Sequence, residues 1–216
     1  IGGCVDTHFF YIVIEWTFRN GYAWANGVGG SMARPIEINR EQALSQAMEV
    51  FWSQGYEASS VQNLLDAMGM NRGSMYSAFG DKRALFLAAV DEYARTLDEL
   101  VEGLIIAPEN PLDAIRGFFN MSLFQMPAEY QAKGCLLVNT ITEMSGNDDT
   151  LAVIANDKMR KVFSAIEARI IEGQEVGLIN RNNSAKTYAD FLMNSMKGFR
   201  VTSRLSSGMV SGVTSD

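Results

Sequence analysis

Residues 69–86 read GMNRGSMYSAFGDKRALF and place three basic residues, Arg72, Lys82 and Arg83, among glycines, serines and aromatic residues. The chain of 216 residues around this stretch carries a formal net charge of −7. Acidic proteins do not in general bind polyanions, because the overall electrostatic field repels them. A basic stretch in such a chain therefore needs a specific account of what it contacts.

The sequence before this stretch predicts two helices. Asn39 is a suitable N-cap for the first and Ser59 for the second, each with a glutamine three residues on. Apolar residues recur with helical spacing in the first, at Leu44, Ala47, Met48 and Phe51. Gly55 and Gly69 are suited to end the two helices, because glycine adopts the left-handed conformation common there.

The stretch itself predicts a third and a fourth helix. Asn71 is placed to cap a short helix over Arg72–Phe79, and Asp81 to cap a helix from Lys82 towards Gly103. Two short helices separated by a tight glycine turn are the arrangement of a helix-turn-helix motif. In that motif the second short helix enters the major groove of DNA, while the first crosses the backbone.

The third helix would turn Met75 and Phe79 inwards, one turn apart, and leave polar residues outwards. Tyr76 lies off the apolar stripe, where its phenol could hydrogen-bond a phosphate. Lys82 begins the next helix, and helix N-termini favour anions. The candidate DNA-binding residues are Ser59, Ser60, Asn71, Arg72, Gly73, Ser74, Tyr76, Ser77 and Lys82. The alternative is an ordinary helical bundle with Tyr76 as a surface tyrosine.

The stretch GYEASSVQNLLDAMGMNRGSMYSAFGDKRALF resembles the TetR/AcrR family of bacterial repressors, and the resemblance extends over roughly residues 38–204. The spacing of Tyr76, Phe79, Lys82 and Leu85 carries the resemblance. It implies an all-α fold: an N-terminal three-helix helix-turn-helix DNA-binding domain, then a C-terminal helical ligand-binding and dimerisation domain. We place these domains at residues 32–85 and 86–205.

Two positions depart from the family pattern. Ala78 stands where a histidine is common, and Arg83 stands where an acidic residue is common. Arg83 would add positive charge facing DNA. Residues 34–90 nevertheless hold only five basic residues against six acidic ones. DNA binding is therefore expected to depend on where the charges lie and on two copies acting together, rather than on bulk charge.

The second half of the chain is also helical in pattern. Asn110 and Pro111 are suited to begin a helix, and residues 112–126 are apolar on most sides, which predicts a central buried helix. Asp148 or Asp149 would cap a long helix, and Asn183 or Ser184 the last one. The resemblance implies that these two helices, about residues 150–175 and 185–204, form a four-helix bundle in a homodimer.

The central helix carries several aromatic and methionine side chains. One interpretation is a packed core; the other is a pocket lined by soft, adaptable side chains. The candidate ligand-binding residues are Phe118, Met121, Phe124 and Cys135.

Cys135 is predicted to begin a helix and follows Lys133, and both features lower the pKa of a thiol. The segment KGCLLVNT resembles the electrophile-sensing (NemR-like) branch of the family. The alternative is a buried core cysteine, because free cysteine is among the most buried residue types.

The two ends of the chain differ from the rest. Residues 1–31 are rich in aromatic residues and glycine, and their apolar run, interrupted by Glu15, is shorter than a membrane span. We expect a non-native or disordered leader with the natural start at Met32; a genuine N-terminal arm is the alternative. Residues 206–216 show no helical pattern and are expected to be a disordered tail.

The composition bounds the remaining possibilities. Cys4, Cys135 and His8 are the only cysteines and histidine, too few for a disulfide framework or a zinc site, so we expect no metal and no cofactor. The predicted protein is a cytoplasmic homodimeric repressor. It would bind an inverted-repeat operator in double-stranded DNA and be released by a small-molecule or electrophilic inducer. We expect no association with a membrane. The alternatives are a helical interaction module without DNA binding, and a thiol-dependent enzyme, which lacks a nearby histidine.

Overall fold

A computed structural model describes residues 39–206 of the chain, and over this range the protein is helical, with no strand. The predicted all-α fold is confirmed. The predictions for the leader at residues 1–31, for a start at Met32, and for Cys4 and His8 lie outside the described residues. The tail prediction does so from residue 207 onwards, and Ser206 is the last residue of a helix.

Four helices form the first part of the described chain: α1 (Arg40–Gln54), α2 (Val61–Met68), α3 (Arg72–Phe79) and α4 (Lys82–Val101). Three predicted N-caps are confirmed. The side chains of Asn39, Asn71 and Asp81 each accept a hydrogen bond from a backbone N–H in the first turn of α1, α3 and α4. These caps supply partners for N–H groups that have none within the helix.

The N-cap of α2 is Ser60, so the prediction that Ser59 fills this role is wrong. Ser60 Oγ accepts a hydrogen bond from the N–H of Asn63 at 3.1 Å. Ser59 is fully buried, and its hydroxyl donates to the carbonyl of Gly55 at 2.5 Å. At the other end of α2, Gly69 has φ 62° and ψ 30°, a left-handed conformation that glycine adopts without a steric penalty. This residue makes the tight turn towards α3.

The second part contains five helices within residues 39–206: α5 (Pro111–Asn120), α6 (Ala128–Lys133), α7 (Leu136–Met144), α8 (Asp149–Glu175) and α9 (Ala185–Ser206). Asn110 caps α5, as predicted. Asp148 caps α8 and Ser184 caps α9, which selects one residue from each of the two predicted pairs. Wide π-helical turns, Glu102–Ile106 and Met121–Gln125, extend α4 and α5. The predicted central helix therefore consists of α5 and the second of these turns.

One hydrophobic core runs through both parts. α1 packs against α4, α4 packs against α8, and α7 and α9 both pack on α8. The rings of Phe51 and Phe86 meet edge to face at 4.9 Å between centroids, which joins α1 to α4. Because α4 continues from the first part into the second, the domain boundary proposed at residues 85/86 falls inside a continuous helix.

Residues 39–206 contain no helix that combines the length and apolar character needed to cross a bilayer.

Candidate nucleic-acid interface and ligand cavity

Two buried side chains anchor α3 to the body of the protein. Met75 is fully buried and Phe79 is 8% exposed, as predicted. The guanidinium of Arg40 lies 4.7 Å from the centroid of the Phe79 ring, and Arg40 Nε donates to the carbonyl of Ala78 at 3.4 Å. An isolated helix of this length would not be stable in water, so these contacts hold α3 in place.

The opposite face of α3 is open to solvent. Arg72, Gly73, Tyr76 and Ser77 are exposed, and Ser74 is half-buried. Tyr76 has 45% of its surface exposed, which is high for an aromatic residue. The guanidinium of Arg72 forms no ion pair with another residue in the range 39–206. A donor-rich, unengaged face on a short anchored helix has the shape and chemistry needed to read base edges in a groove.

The predicted DNA-binding residues outside α3 differ in how far they are exposed to solvent. Asn71 and Ser60 are exposed at helix N-termini, where each uses one oxygen as a cap. Lys82 is half-buried, with Nζ 4.5 Å from the centroid of the Tyr56 ring and 3.5 Å from the carbonyl of Glu57. The prediction that Ser59 contacts DNA is wrong. Its hydroxyl is fully buried and already donates to a carbonyl, so it is not accessible to DNA.

Arg83, expected from the sequence to add positive charge facing DNA, forms an ion pair within the protein. Its Nη2 lies 3.3 Å from Asp148 Oδ2, at the N-terminus of α8. Desolvation acts to raise the pKa of Asp148, but hydrogen bonds from the Leu151 N–H and from Arg83 leave this pKa below its ordinary value. Arg83 therefore joins the two parts of the chain.

A cavity of about 80 Å³ lies between α4, α5, α7, α8 and α9. Its walls are mainly apolar, and five of the lining residues are methionines: Met121, Met126, Met159, Met193 and Met196. Trp52 of α1 also lines it, so the cavity touches the helix-turn-helix part directly. Three of the four predicted ligand residues line this cavity: Phe118, Met121 and Cys135.

Phe124, the fourth predicted ligand residue, lies outside the cavity. It is 70% exposed, and its ring centroid is 6.5 Å from that of Phe199. The wide turn Met121–Gln125 changes the angular position of residues that follow Met121, so the regular helical period assumed for this segment fails there.

Cys135 precedes the first residue of α7 and is 7% exposed. Its thiol lies beside the hydroxyl of Tyr93, another cavity residue. Burial, together with the neighbouring Cys135, raises the pKa of Tyr93 well above its ordinary value, so Tyr93 is a neutral phenol at physiological pH. Cys135 is therefore buried in the core and at the same time lines the cavity.

Lys133 does not supply the free positive charge expected beside Cys135. Its Nζ lies 2.5 Å from Glu49 Oε2 and sits over the rings of Trp52 and Tyr130, at 5.3 and 4.8 Å from the centroids. Burial, reinforced by Glu49, raises the pKa of Tyr130 to about 12. The charge of Lys133 is therefore largely balanced by its own partner.

The cavity also contains residues that the sequence reasoning missed. Met193, Met196, Lys197 and Arg200 of α9 all line it, with spacing i, i+3, i+4 and i+7. This spacing is the signal that could have identified them, because it places two cations on the apolar stripe of a helix.

Several large apolar side chains of α8 and α9 remain exposed in the single chain. Phe191 is 69% exposed, and Ile171, Phe199 and Val201 are between 38 and 44% exposed. Exposed apolar residues grouped on long neighbouring helices are typical of an interface between subunits. No group of three or more potential metal ligands occurs in the part of the chain that the structure describes.

Two family profiles match the chain. "Bacterial regulatory proteins, tetR family" matches residues 43–89, and "Tetracyclin repressor-like, C-terminal domain" matches residues 111–209. The first match includes most of α1, all of α2 and α3, and the start of α4, and the second includes α5 to α9. Together they account for both parts of the described fold.

Curated relatives align over most of the chain. The uncharacterized HTH-type transcriptional regulator YezE of Bacillus subtilis is 29% identical over 185 residues, which is 86% of this chain and 92% of the relative. The HTH-type transcriptional repressor ComR of Escherichia coli is 25% identical over 175 residues, covering 81% of this chain and 83% of the relative.

Solved structures share the fold. A cysteine mutant of the TetR family transcriptional regulator CifR, complexed with a 26-bp double-strand operator DNA, has a TM-score of 0.68 at 23% identity, covering 80% of this chain and 90% of CifR. The reduced form of E. coli NemR has a TM-score of 0.67 at 22% identity, covering 78% of this chain and 88% of NemR.

Proposed function

Because the chain belongs to the TetR family of bacterial regulatory proteins, we propose that it is a homodimeric transcriptional repressor that reads DNA with α3 and leaves its operator when a small molecule enters the cavity. The observation that carries the proposal is the polar, exposed face of α3 held by Met75 and Phe79. The names of the relatives support it, since ComR is a repressor and a CifR mutant was solved on operator DNA.

The proposed DNA contacts divide into two kinds. Arg72 is the base reader, because a guanidinium matches the O6 and N7 acceptors of guanine. Tyr76, Ser77, Ser60, Asn71 and Lys82 position the protein on sugars and phosphates. Ser59 is left out because it is buried. Two copies of α3 in a dimer would enter successive major grooves of an inverted repeat.

The dimer is the second element of the proposal. α8 and α9 carry the exposed apolar side chains, and a four-helix bundle with a second copy would remove them from water. The helix-turn-helix domain is proposed at residues 32–85 and the ligand-binding and dimerisation domain at 86–205. We also propose a cytoplasmic location, because the proposed function requires contact with DNA.

The proposal is tested by fluorescence anisotropy with labelled DNA that flanks the gene, comparing wild type with Arg72→Ala and Lys82→Ala. Arg72→Ala is expected to cost ~1–3 kcal/mol and to relax sequence preference. Lys82→Ala is expected to weaken binding to all sequences and to reduce the salt slope by about one per contact. Arg116→Ala is the matched control, because Arg116 is an exposed arginine of α5 that lies 3.9 Å from Asp113, far along the chain from α3.

Two results would reject parts of the proposal. Equal operator affinity in wild type, Arg72→Ala and Lys82→Ala would remove α3 as the reading helix. Absence of any sequence-preferring binding by the wild-type protein would favour a helical interaction module instead. A thiol-dependent enzyme finds no support in the relatives, whose names are those of transcriptional regulators.

A further inference from the structure

The cavity carries positive charge without a matching negative charge. Lys197 and Arg200 both line it, whereas no aspartate or glutamate does. Arg200 is only 8% exposed, so its guanidinium is removed from water. Guanidinium groups stay protonated at any pH that proteins tolerate, so this charge cannot be relieved by loss of a proton.

The hydrogen bonds of Arg200 are incomplete. Its Nη2 contacts the sulfur of Met126 at 2.8 Å, and a thioether is a weak acceptor. Its Nη1 is buried and has no hydrogen-bond partner among residues 39–206. A buried cation is normally paired, because the cost of desolvating it is large.

Arg169 differs from Arg200 in that both of its terminal nitrogens have oxygen partners, although its Nε is buried without a hydrogen-bond partner among residues 39–206. Its Nη1 lies 2.6 Å from Glu172 Oε2, and its Nη2 donates to the carbonyl of Pro108. Arg200 has neither a carboxylate nor a carbonyl in the corresponding places within the described chain. The missing partner of Arg200 Nη1 is therefore an acceptor that residues 39–206 do not provide.

We infer that the cavity binds a small organic carboxylate, whose charged group pairs with Arg200 and whose apolar body lies against Phe118, Met121 and Met193. This inference rests on the proposed function in identifying the carboxylate as the inducer. A guanidinium binds a carboxylate through two parallel N–H···O bonds, which satisfies Nη1 and replaces the weak sulfur contact of Nη2. Lys197, three residues earlier on α9, adds attraction for the same anion.

The size of the cavity limits the ligand and shows how it enters. At about 80 Å³ it is smaller than the ~150 Å³ cavity that holds benzene in an engineered protein. A ligand with an aromatic ring or a short alkyl chain must therefore displace side chains. The methionines allow this, because an unbranched thioether changes rotamer at low cost and contacts aromatic rings favourably.

Met126 links occupancy of the cavity to a change in the protein. It follows the wide turn Met121–Gln125 and is separated from the start of α6 by Pro127 alone. A carboxylate that takes the place of its sulfur on Arg200 releases Met126, and with it one contact between α9 and this segment. The same event that binds the ligand thus loosens the connection between α5 and α6.

The test measures binding of benzoate and of benzyl alcohol to the full chain without DNA, by isothermal titration calorimetry. The two probes share a ring and differ in charge. Benzoate is expected to bind at least tenfold more tightly than benzyl alcohol, and hexanoate more tightly than hexan-1-ol. Acetate, which lacks the apolar body, is expected to bind more weakly than either carboxylate.

Variants separate the role of Arg200 from folding. Arg200→Met is expected to lower benzoate affinity at least tenfold, to leave benzyl alcohol unchanged, and to melt at or above the wild-type temperature, because it removes an unpaired buried charge. Arg200→Lys keeps the charge but loses the planar guanidinium, so its benzoate affinity is expected to lie between those of wild type and Arg200→Met. Arg116→Met is the control at an exposed arginine and should bind as wild type does.

Three outcomes would overturn the inference. They are no binding of benzoate or hexanoate at millimolar concentration, equal binding of the acid and the alcohol, and unchanged benzoate affinity in Arg200→Met. The role as inducer is measured separately, as release of operator DNA. Binding of benzoate without release would leave the carboxylate site intact and reject only its place in the proposed function.

Discussion

The carboxylate of Glu143, at the end of α7, accepts a hydrogen bond from the backbone N–H of Tyr56 through Oε2 at 3.0 Å. Its other oxygen accepts from the N–H of Glu57 at 2.9 Å. Gly55 makes room for this contact, because a Cβ there would lie 2.7 Å from Glu143 Oε2. α7 begins directly after the cavity residue Cys135 and ends one residue after Glu143, so one short helix joins the cavity to the loop between α1 and α2.

Glu143→Gln is expected to destabilise the protein by ~1–3 kcal/mol, because the amide NH₂ would face a backbone N–H that needs an acceptor. Operator affinity should fall as well, since the orientation of the helix-turn-helix part is less constrained. Urea unfolding and DNA binding are the measurements. Glu129→Gln, at an exposed glutamate of α6, is the control. Wild-type stability in Glu143→Gln would show that this contact carries little free energy.

Dimerisation is tested at Phe191. This side chain is 69% exposed in the single chain, so Phe191→Asp should leave the protomer folded. It should raise the dimer dissociation constant at least tenfold, because a charge would be buried at the proposed bundle. Sedimentation velocity and circular dichroism measure the two quantities. Ile106→Asp changes an equally apolar residue outside α8 and α9, 52% exposed, and should remain dimeric. A dimeric Phe191→Asp variant would place the interface elsewhere.

The ion pair between Arg83 and Asp148 predicts a dependence of stability on acid. The pKa of Asp148 in the folded protein is below the ordinary value of 3.8. The stabilisation is therefore fully present above the ordinary value and is lost as the pH falls through the lower folded value. Asp148→Asn keeps an N-cap for α8 but removes the charge.

Thermal melts of wild type and Asp148→Asn from pH 7 to pH 2.5 test this. The wild type should melt higher at pH 7, and the difference should disappear at the acidic end. Asp149→Asn serves as the control at the neighbouring carboxylate. A difference that persists unchanged at pH 2.5 would assign it to the cap geometry rather than to the charge.

Cys135 is expected to react slowly with maleimide or quinone in the folded protein, because it is 7% exposed and reached through the cavity. If the protein senses electrophiles there, wild type should release its operator on treatment and Cys135→Ser should not. Benzoate should slow the labelling if it occupies the same cavity. Equal operator release by the two proteins would exclude Cys135 from induction.

The sequence predicted the local features well, because caps and helix ends depend on neighbouring residues. Asn71 and Asp81 are examples, each identified from its position before a periodic segment. Ser59 was misassigned because Ser60 is an equally good cap, and only burial distinguishes them. Arg83 and Arg200 depend on what lies across the fold. Arg83 lies next to α3 in sequence but pairs with Asp148 at the N-terminus of α8. Arg200 lies on the apolar stripe of α9 and lines the cavity. The helical period alone predicts neither of these contacts.

Phe124 illustrates the remaining limit. Its assignment to a pocket assumed a regular period along residues 112–126, and a single wide turn at Met121–Gln125 rotates it to solvent. Such a turn leaves no clear mark in composition. Which aromatic residues line the cavity was therefore predictable before the turn, at Phe118, and not after it.

The position of Trp52 gives the protein a built-in optical probe. The other two tryptophans, Trp16 and Trp24, precede the described residues, so removing both leaves a single indole that lies on α1 and borders the cavity. Indole emission responds to the polarity of its surroundings and to nearby charge. A shift in its wavelength would therefore report ligand entry from within the DNA-binding part itself, and could be followed while the protein remains on its operator.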